Sequence, residues 1–258
     1  YEPGSTFKII TLATALEENV VDLEKDTFFD SGAITVEGAT LHCWKHGGHG
    51  AQTYLQVVEN SCNPGFVNLG LKLGKEKLFS YIDKFGFGKK TGIDLNGESS
   101  GIIFNLDKVG PVELATTAFG QGVSVTPIQQ ITAVSAAING GTLYKPYVVK
   151  SLNEPVTNTV VKQNEPTKVR TVISEETSKK VREALESVVT NGTGRPAYIE
   201  GYRVGGKTGT AQKVQNGRYM VGNYIVSFIG FLPADDPEII VYVAVDNAKG
   251  VTQYGGTI

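Results

Sequence analysis

Residues 5–18 read STFKIITLATALEE, the most strongly apolar helical pattern in the first half of the chain. It is apolar on nearly every side, so a helix here is predicted to lie inside a protein core rather than on a surface. Pro3-Gly4 before it is a turn signal, and Ser5 stands at the predicted helix start. Ser5 and Lys8 are spaced i and i+3, which places both on one face of the helix.

Length and composition allow one large globular domain or two small ones. Of the 258 residues, 40% are hydrophobic and 19% are charged, as in an ordinary globular protein. A chain of this length can bury a substantial core. A net charge of -2 without a basic block gives nucleic-acid binding no support. No run approaches the roughly 18–20 apolar residues of a membrane span. Because Tyr1 is not a methionine and a motif begins almost at once, we expect an N-terminally truncated piece of a longer protein whose membrane anchor lies upstream.

The remaining pattern predicts an α/β protein of the α+β kind. Helical segments are predicted at 53–60, 66–73, 76–85, 127–139 and 174–191. The stretch 30–50 reads as irregular and 143–173 as extended segments and loops. Three β-branched and aromatic segments at 202–214, 224–232 and 238–247 have short connections, which predict an antiparallel meander. The expected architecture is an antiparallel sheet flanked by helices, with a helical cluster from the first half.

Ser5 and Lys8 are a candidate nucleophile and base. A serine hydroxyl is a poor nucleophile until a base takes its proton. A lysine can serve if burial lowers its pKa, and the apolar helix favours that burial. The backbone N–H of Ser5 at a helix N-terminus can also hold an oxyanion. The competing interpretation is a capping serine with a surface lysine, because Ser-x-x-Lys is a weak motif by itself.

Two further motifs follow the first. Ser61-Cys62-Asn63 ends a predicted helix, and serine and asparagine are also common in ordinary turns there. Lys207-Thr208-Gly209-Thr210 opens a predicted strand after Gly205-Gly206. A lysine beside hydroxyls suits a substrate carboxylate. The competing interpretation is an exposed edge strand whose lysine discourages aggregation.

Taken together, the three motifs resemble those of the class B penicillin-binding proteins, the monofunctional transpeptidases. Their order and context match: Ser-x-x-Lys on a core helix, Ser-x-Asn on a helix-ending loop, then Lys-Thr-Gly on a strand. The stretches 1–8, 60–63, 119–122 and 206–210 also resemble that family, and the similarity covers nearly the whole chain. Within the family, 43–45, 60–70 and 118–130 resemble the sporulation-specific branch.

The resemblance implies a penicillin-binding-protein/β-lactamase-like transpeptidase fold over residues 1–258 and a role for each motif. Ser5 would be the nucleophile and Lys8 its base, with Ser61 and Asn63 completing the proton relay. The stretch Lys207–Thr210, including Thr208 and Gly209, would bind the terminal carboxylate. The amides of Ser5 and Thr210 would form the oxyanion hole.

The resemblance also implies substrates, partners and a location. Peptidoglycan stem peptides ending in D-Ala-D-Ala would acylate Ser5, a neighbouring amine would resolve the acyl-enzyme, and β-lactams would mimic the donor. This role would imply a glycosyltransferase partner and a single-pass membrane anchor. The domain would lie on the extracytoplasmic face of the membrane or in the forespore intermembrane space. The chemistry requires no cofactor.

Two other functions stay open on the same fold. A serine β-lactamase or DD-carboxypeptidase would pass the acyl group to water, and a class A lactamase would need a positioned glutamate, which no motif here marks. A non-catalytic β-lactam sensor or scaffold is the second alternative. The intact motifs argue against an inactive scaffold, whereas a sensor would also be acylated.

All three histidines lie within one short stretch, LHCWKHGGH at 41–49, together with a cysteine. Cysteine and histidine are the preferred ligands of zinc. We expect a structural zinc ion bound by Cys43, His46 and His49, with Asp30 as a fourth ligand. If the segment is extended, His42 and Cys43 point to opposite sides, so His42 is not expected to bind. A polar surface loop without a metal, or a disulfide between Cys43 and Cys62, are the alternatives.

Overall fold

A helical first half and a terminal antiparallel sheet make up the structure. The computed structural model describes residues 1–215 and 217–257. In this part of the chain the helices are α1 (Lys8–Glu17), α2 (Tyr54–Glu59), α3 (Asn63–Leu73), α4 (Lys75–Lys84), α5 (Pro111–Thr117), α6 (Pro127–Ile138) and α7 (Glu175–Asn191). The strands are β1 (Thr27–Asp30), β2 (Ala33–Val36), β3 (Ala39–His42), β4 (Gly50–Thr53), β5 (Thr142–Lys145), β6 (Ser151–Asn153), β7 (Val160–Gln163), β8 (Thr167–Thr171), β9 (Gly205–Gln215), β10 (Arg218–Leu232) and β11 (Ile239–Asp246).

Helix α1 is the central helix, as its sequence predicts. Every residue from Lys8 to Leu16 is buried, and the helix contacts α3, α4, α6 and α7. Burying a leucine or isoleucine side chain contributes about 1.5–3 kcal/mol, so these apolar residues fix the helix in the core. The start differs from the prediction, because a 3-10 turn at Gly4–Phe7 precedes α1 and contains Ser5.

The terminal sheet has the strand order β11-β10-β9, and all its pairings are antiparallel, as predicted. Strand β10 begins at Arg218, earlier than the sequence pattern indicated, and its pairing with β9 is irregular between Tyr219 and Tyr224. Strand β9 packs against α7 and against the 3-10 turn that contains Ser5. The sheet therefore brings the third motif next to the first.

The stretch 30–50 is more regular than predicted. Strands β2 and β3 pair across Glu37-Gly38, where both residues have positive φ, of 46° and 81°. Such a two-residue turn matches the twist of the flanking strands. Strands β1 and β4 pair with Asp30 opposite Gly50. Each strand has only four residues with little alternation of apolar and polar side chains, so the sequence pattern did not predict the hairpin.

Helix α7 follows its predicted capping. The Ser174 hydroxyl accepts from the Thr177 N–H at 3.2 Å, and Glu175 and Glu176 occupy the first turn. Helix α5 was not predicted. It begins at Pro111, and the Glu113 carboxylate accepts from the Gly110 N–H at 3.0 Å. Within the described residues, no helix combines the length and the apolar character that crossing a membrane would require.

Candidate active site

Ser5 lies in a tight turn that is held from a distant part of the chain. The Gly4 N–H donates to the Gly120 carbonyl at 3.0 Å, and the Glu2 carboxylate accepts from the Gly122 N–H at 3.0 Å. No side-chain cap forms at the start of the turn. Ser5 is therefore not the capping serine of the competing interpretation, and its partly exposed side chain faces a cleft.

Lys8 is fully buried and makes three hydrogen bonds. Its Nζ donates to the Ser61 carbonyl at 2.8 Å, to Ser61 Oγ at 3.1 Å and to Asn63 Oδ1 at 2.6 Å. Ser5 Oγ is not among its partners within the described residues. Burial lowers the pKa of Lys8 to about 7, although the neighbouring Cys62 and Cys43 act to raise it. A lysine with such a pKa exists partly as the neutral amine near neutral pH, which a general base requires.

The Ser61-Cys62-Asn63 segment has a constrained backbone. Ser61, two residues after the end of α2 at Glu59, adopts a left-handed conformation with φ 52°. This conformation is uncommon for residues other than glycine, and such residues cluster at functional sites. The Asn63 Nδ2 donates to the His42 carbonyl at 3.1 Å, so the amide keeps its oxygen directed at Lys8.

The third motif lies on β9, and its lysine is not the exposed edge residue of the competing interpretation. Lys207 is only 1% exposed. Burial, with a contribution from the nearby Lys8 charge, holds the pKa of Lys207 well below its usual value. The Thr208 hydroxyl lies 3.3 Å from the Thr193 hydroxyl. A Cβ at Gly209 would lie 2.5 Å from Ser227 Oγ, which is too close for a nonbonded contact. The close packing of β9 against β10 therefore favours glycine at this position.

One cleft of about 80 Å³ joins the three motifs. Its lining residues are Gly4, Ser5, Trp44, Ser61, Asn63, Phe119, Gln121, Thr208, Thr210 and Tyr254. The sequence-predicted residues Ser5, Ser61, Asn63, Thr208 and Thr210 are therefore brought together. Lys8 and Lys207 are buried, and Lys8 is tied by hydrogen bonds to the Ser61–Asn63 segment of the cleft.

Sequence reasoning missed the aromatic residues of this cleft. Trp44 belongs to the stretch 43–45, which was noted for its resemblance but given no role, and Tyr254 lies in no motif. Phe119 and Gln121 belong to a stretch noted for its resemblance but given no role. The available signal for Trp44 was its position inside the cysteine-histidine stretch.

A larger cavity of about 580 Å³ lies elsewhere, between the end of α1 and α7, and none of the motifs contributes to it.

A second cluster adjoins the cleft. Asp30, Cys43, His49 and Cys62 place one potential ligand atom each within 4.8 Å of one another. The Asp30 Oδ2 lies 2.8 Å from His49 Nδ1 and 3.3 Å from Cys62 Sγ. Cys43 Sγ lies 3.4 Å from His49 Nδ1. Both cysteines are free, buried thiols.

Three of the four predicted ligands, Asp30, Cys43 and His49, lie in this cluster, and the fourth, His46, does not. His46 lies outside the cluster and is exposed, because it occupies a turn closed by the Gly48 N–H and the Lys45 carbonyl at 3.0 Å. Cys62, which the sequence analysis considered for a disulfide with Cys43, is the fourth residue of the cluster. His42 is exposed whereas Cys43 is buried, as alternation along an extended segment predicts.

The contacts within the cluster shift the pKa values of its acidic groups in different directions. Burial acts to raise the pKa of Asp30, but hydrogen bonds from Cys43, Gly32, His49 and Cys62 lower it to about 2. The carboxylate is therefore ionised. The hydrogen bond with Cys62 lowers the pKa of Cys43, while Cys43 and burial raise that of Cys62. The Nε2 of His49 is buried without a hydrogen-bond partner among the described residues.

Comparison with known proteins gives a consistent result. The family model of the penicillin binding protein transpeptidase domain matches residues 1–258. Stage V sporulation protein D of Bacillus subtilis is 69% identical over 258 residues, which cover 100% of this chain and 40% of that relative. Penicillin-binding protein PbpB of Mycolicibacterium smegmatis is 34% identical over 256 residues, covering 95% of this chain and 39% of that protein.

Solved structures agree with this assignment. The D,D-transpeptidase domain of a peptidoglycan glycosyltransferase from Eggerthella lenta has a TM-score of 0.88 and 33% identity, covering 96% of this chain and 61% of that chain. Penicillin binding protein 3 from Mycobacterium tuberculosis, complexed with ampicillin, has a TM-score of 0.88 and 31% identity, covering 96% of this chain and 56% of that chain.

This chain spans about 40% of the length of these two curated relatives. The resemblance stated from the motifs is confirmed, including its sporulation branch. The fold expected from it, an antiparallel sheet with flanking helices, is confirmed as well. The chain belongs to the penicillin-binding protein transpeptidase domain family.

Proposed function

We propose that this chain contains the acyl-transfer site of a peptidoglycan D,D-transpeptidase, within a single transpeptidase domain over residues 1–258. The observation that carries the proposal is the fully buried Lys8, which is bonded to Ser61 and Asn63 beside the cleft that exposes Ser5. A serine, a low-pKa lysine and a second hydroxyl supply the nucleophile and the proton relay that acyl transfer needs.

In the first half-reaction, Ser5 Oγ attacks the carbonyl carbon between the two terminal D-alanines and its proton passes to neutral Lys8. The backbone amides of Ser5 and Thr210 donate to the resulting oxyanion. When the intermediate collapses, the C–N bond breaks, and the departing amine receives a proton from Lys8 through Ser61. D-Alanine leaves, and the peptide remains as an ester on Ser5.

In the second half-reaction, an amine of a neighbouring stem peptide attacks the ester carbonyl. Its proton passes to neutral Lys8, the C–O bond to Ser5 breaks, and the serine oxygen regains a proton. A new amide bond cross-links the two peptides. Asn63 orients Lys8 and the donor's amide during both steps, since its Oδ1 already lies 2.6 Å from Nζ.

The β9 motif recognises the donor's terminal carboxylate. Lys207 supplies a cation, and the Thr208 and Thr210 hydroxyls line the same cleft. Gly209 keeps the strand close to its neighbours. Because buried Lys207 has a lowered pKa, an incoming carboxylate provides the opposite charge that favours its ammonium form.

The names of relatives support this substrate class. Several are named peptidoglycan D,D-transpeptidases, such as the FtsI homolog of Mesostigma viride and the probable enzyme PenA of Neisseria flavescens. Related structures contain aztreonam or ampicillin, so we expect β-lactams to acylate Ser5. The sporulation relative supports a role in spore wall synthesis. An extracytoplasmic location follows from the substrate, and a single-pass anchor and a glycosyltransferase partner remain expectations from the resemblance.

The alternatives fit the cleft less well. None of its described lining residues is an aspartate or glutamate, so no carboxylate is placed to activate water as in class A lactamases. An inactive scaffold would have no use for the Lys8–Ser61–Asn63 hydrogen bonds. A sensor stays a candidate until transfer to an amine is measured.

The test of transfer uses a stem pentapeptide donor and a labelled D-amino acid acceptor. We expect the labelled cross-product from the 258-residue chain and none from Ser5→Ala. Hydrolysed donor without labelled product would favour the carboxypeptidase alternative. A penicillin adduct with neither peptide product would favour the sensor.

We also propose that Asp30, Cys43, His49 and Cys62 bind a structural zinc ion. Tetrahedral zinc with bonds of about 2.0–2.3 Å has ligand atoms about 3.3–3.8 Å apart. Two observed separations, 3.3 and 3.4 Å, match that range, a third is shorter at 2.8 Å, and all four atoms lie within 4.8 Å of one another. The ion would join β1, the segment after β3 and the start of α3, and no step of acyl transfer uses it.

A further inference from the structure

Glu59 is the last residue of α2, and its side chain binds helix α7 from outside the cleft. The Ser187 hydroxyl on α7 donates to the Glu59 carboxylate at 2.5 Å, and the Asn191 side-chain amide donates to Ser187 Oγ at 3.1 Å. Both Glu59 and Ser187 are partly buried, and neither is among the described residues that line the cleft with Ser5. The acyl-transfer steps therefore leave this contact without a role.

The backbone carbonyl of Glu59 is bound to the segment that follows α7. Carbonyl groups at the end of a helix have no partner within the helix and need one elsewhere. The Thr193 N–H donates to the Glu59 carbonyl at 3.0 Å, and the Thr193 hydroxyl donates to the same oxygen at 3.2 Å. A Cβ at Gly192 would lie 2.4 Å from this oxygen, so the close approach favours glycine there. Side chain and backbone of Glu59 are thus both bound to the end of α7.

Ser61 lies two residues after Glu59, and its position depends on where α2 ends. Its carbonyl and its hydroxyl both accept from Lys8 Nζ, at 2.8 and 3.1 Å. Its φ of 52° is a conformation that a residue with a side chain keeps only when its surroundings fix it. The Ser61 N–H donates to the Val58 carbonyl at 3.1 Å, which sets the turn itself. Glu59 sets where this turn lies relative to α7.

The end of α7 also contacts the third motif. Helix α7 packs against both α2 and β9. The Thr208 hydroxyl on β9 lies 3.3 Å from the Thr193 hydroxyl, which also binds the Glu59 carbonyl. A movement of α2 along α7 would therefore displace Ser61 while leaving the carboxylate site on β9 in place.

We propose that Glu59 is a positioning residue for acyl transfer: its carboxylate, bound to Ser187, holds the end of α2 so that Ser61 stays within hydrogen-bonding distance of Lys8. Glu59 does not touch the donor and acts through Ser61. The inference rests on the proposed function, since the placement of Ser61 affects a rate only if Ser61 passes protons in the reaction. A hydrogen bond to a carboxylate is about twice as strong as one between neutral groups, so one such contact can fix a helix end.

The test separates the maximal acylation rate with a chromogenic β-lactam from the concentration that gives half of it. Removing the contact leaves the carboxylate site unchanged but lets Ser61 move relative to Lys8. We expect Glu59→Ala to lower the maximal rate about threefold to tenfold, the net contribution of one hydrogen bond, and to change the half-saturating concentration about twofold at most. Glu183→Ala removes an exposed carboxylate of α7 that lies 3.9 Å from Lys179, so it is the matched control and should alter neither value.

Two further variants show whether the hydrogen bond itself is responsible. Glu59→Gln keeps an acceptor oxygen for the Ser187 hydroxyl, so we expect its maximal rate to stay within about twofold of that of the unaltered chain. Ser187→Ala removes the same bond from the other side, and we expect it to match Glu59→Ala. The double variant should be no slower than either single variant, because both changes remove one contact.

An unchanged maximal rate in folded Glu59→Ala would overturn the positioning role. Additive losses in the double variant, or a loss in Glu59→Gln equal to that in Glu59→Ala, would overturn it as well. Circular dichroism establishes folding, and Ser187→Ala provides the same comparison if Glu59→Ala does not fold. Failure of the unaltered chain to form any adduct would instead overturn the proposed function, and the positioning role with it.

Discussion

Lys8 Nζ donates to Asn63 Oδ1 at 2.6 Å, and the Lys8 side chain is wholly buried from solvent. The amide of Asn63 is fixed from its other end by the His42 carbonyl, at 3.1 Å. This arrangement holds the lysine between the nucleophile turn and the second motif. Burial lowers the pKa of Lys8 to about 7, so its amine can gain and lose a proton near neutral pH.

Replacing the base should abolish most of the activity without unfolding the chain. An arginine keeps its proton at all usable pH values, so Lys8→Arg cannot accept the Ser5 proton. We expect the acylation rate to fall about 10²- to 10⁴-fold, the usual contribution of a general base. Stopped-flow acylation with a chromogenic β-lactam measures it, and Lys72→Arg on the outer side of α3 is the control. A drop of less than about tenfold in a folded Lys8→Arg variant would remove Lys8 from the base role.

The acylation rate should rise with pH through the pKa of Lys8. Burial lowers this pKa to about 7, so the neutral amine becomes the main form above that value. The reactive fraction at pH 6 is therefore about one tenth of its maximum. Measuring the acylation rate from pH 5.5 to 9 should give an ascending limb centred near 7. A flat profile over this range would contradict a titrating buried base.

Lys207 should determine the preference for a free carboxylate. Losing a hydrogen bond to a charged group costs about 1.5–3 kcal/mol, or roughly a 10- to 100-fold change in rate. We expect Lys207→Ala to slow acylation by a penicillin to this extent but to change little with the methyl ester of the same penicillin. Lys213→Ala lies on the same strand and removes a lysine bound to Asp246, so it is the control. Equal losses with acid and ester would exclude carboxylate recognition.

The zinc proposal predicts a specific difference between two variants. Cys62→Ser removes a proposed ligand, and His46→Ala removes a histidine that lies outside the cluster. We expect about one zinc ion per chain in the unaltered protein and in His46→Ala, and far less in Cys62→Ser, with a lower Tm. Elemental analysis of the purified chains measures this. Zinc lost from His46→Ala but retained in Cys62→Ser would restore the ligand set predicted from sequence.

Replacing Gly120 should lower stability because of a steric clash with the Gly4 carbonyl as well as because of its positive φ. With φ 86°, an added Cβ would overlap the Gly4 carbonyl beside Ser5. Gly201 has a similar φ of 81° but no atom within 4 Å of such a Cβ. We expect Gly120→Ala to lower the Tm and the acylation rate clearly more than Gly201→Ala, which has only the backbone strain of about 1 kcal/mol. Equal effects would show that the Gly4–Gly120 contact is not important.

The sequence was sufficient for features that depend on local pattern. The all-round apolar stretch predicted a buried α1, and burial of Lys8 followed from it. Ser174 predicted the start of α7, because a capping serine and early acidic residues are local signals. The β-branched terminal segments predicted the antiparallel meander of β9, β10 and β11.

Features set by distant contacts could not be predicted in this way. Ser5 lies in a 3-10 turn because residues near Gly120 bind that turn. Cys62 and not His46 lies beside Asp30, Cys43 and His49 because folding brings the start of α3 against β1, whereas sequence spacing alone favoured the nearer histidine. Trp44 and Tyr254 are far apart in sequence and meet only in the cleft.

Intact mass spectrometry after incubation with a fluorescent penicillin shows whether Ser5 is the acylated nucleophile. We expect a stable one-to-one adduct on the 258-residue chain and its complete absence from Ser5→Ala. An adduct that persists in Ser5→Ala, or no adduct on a chain shown to be folded by circular dichroism, would contradict the assignment of Ser5 as the acylated nucleophile.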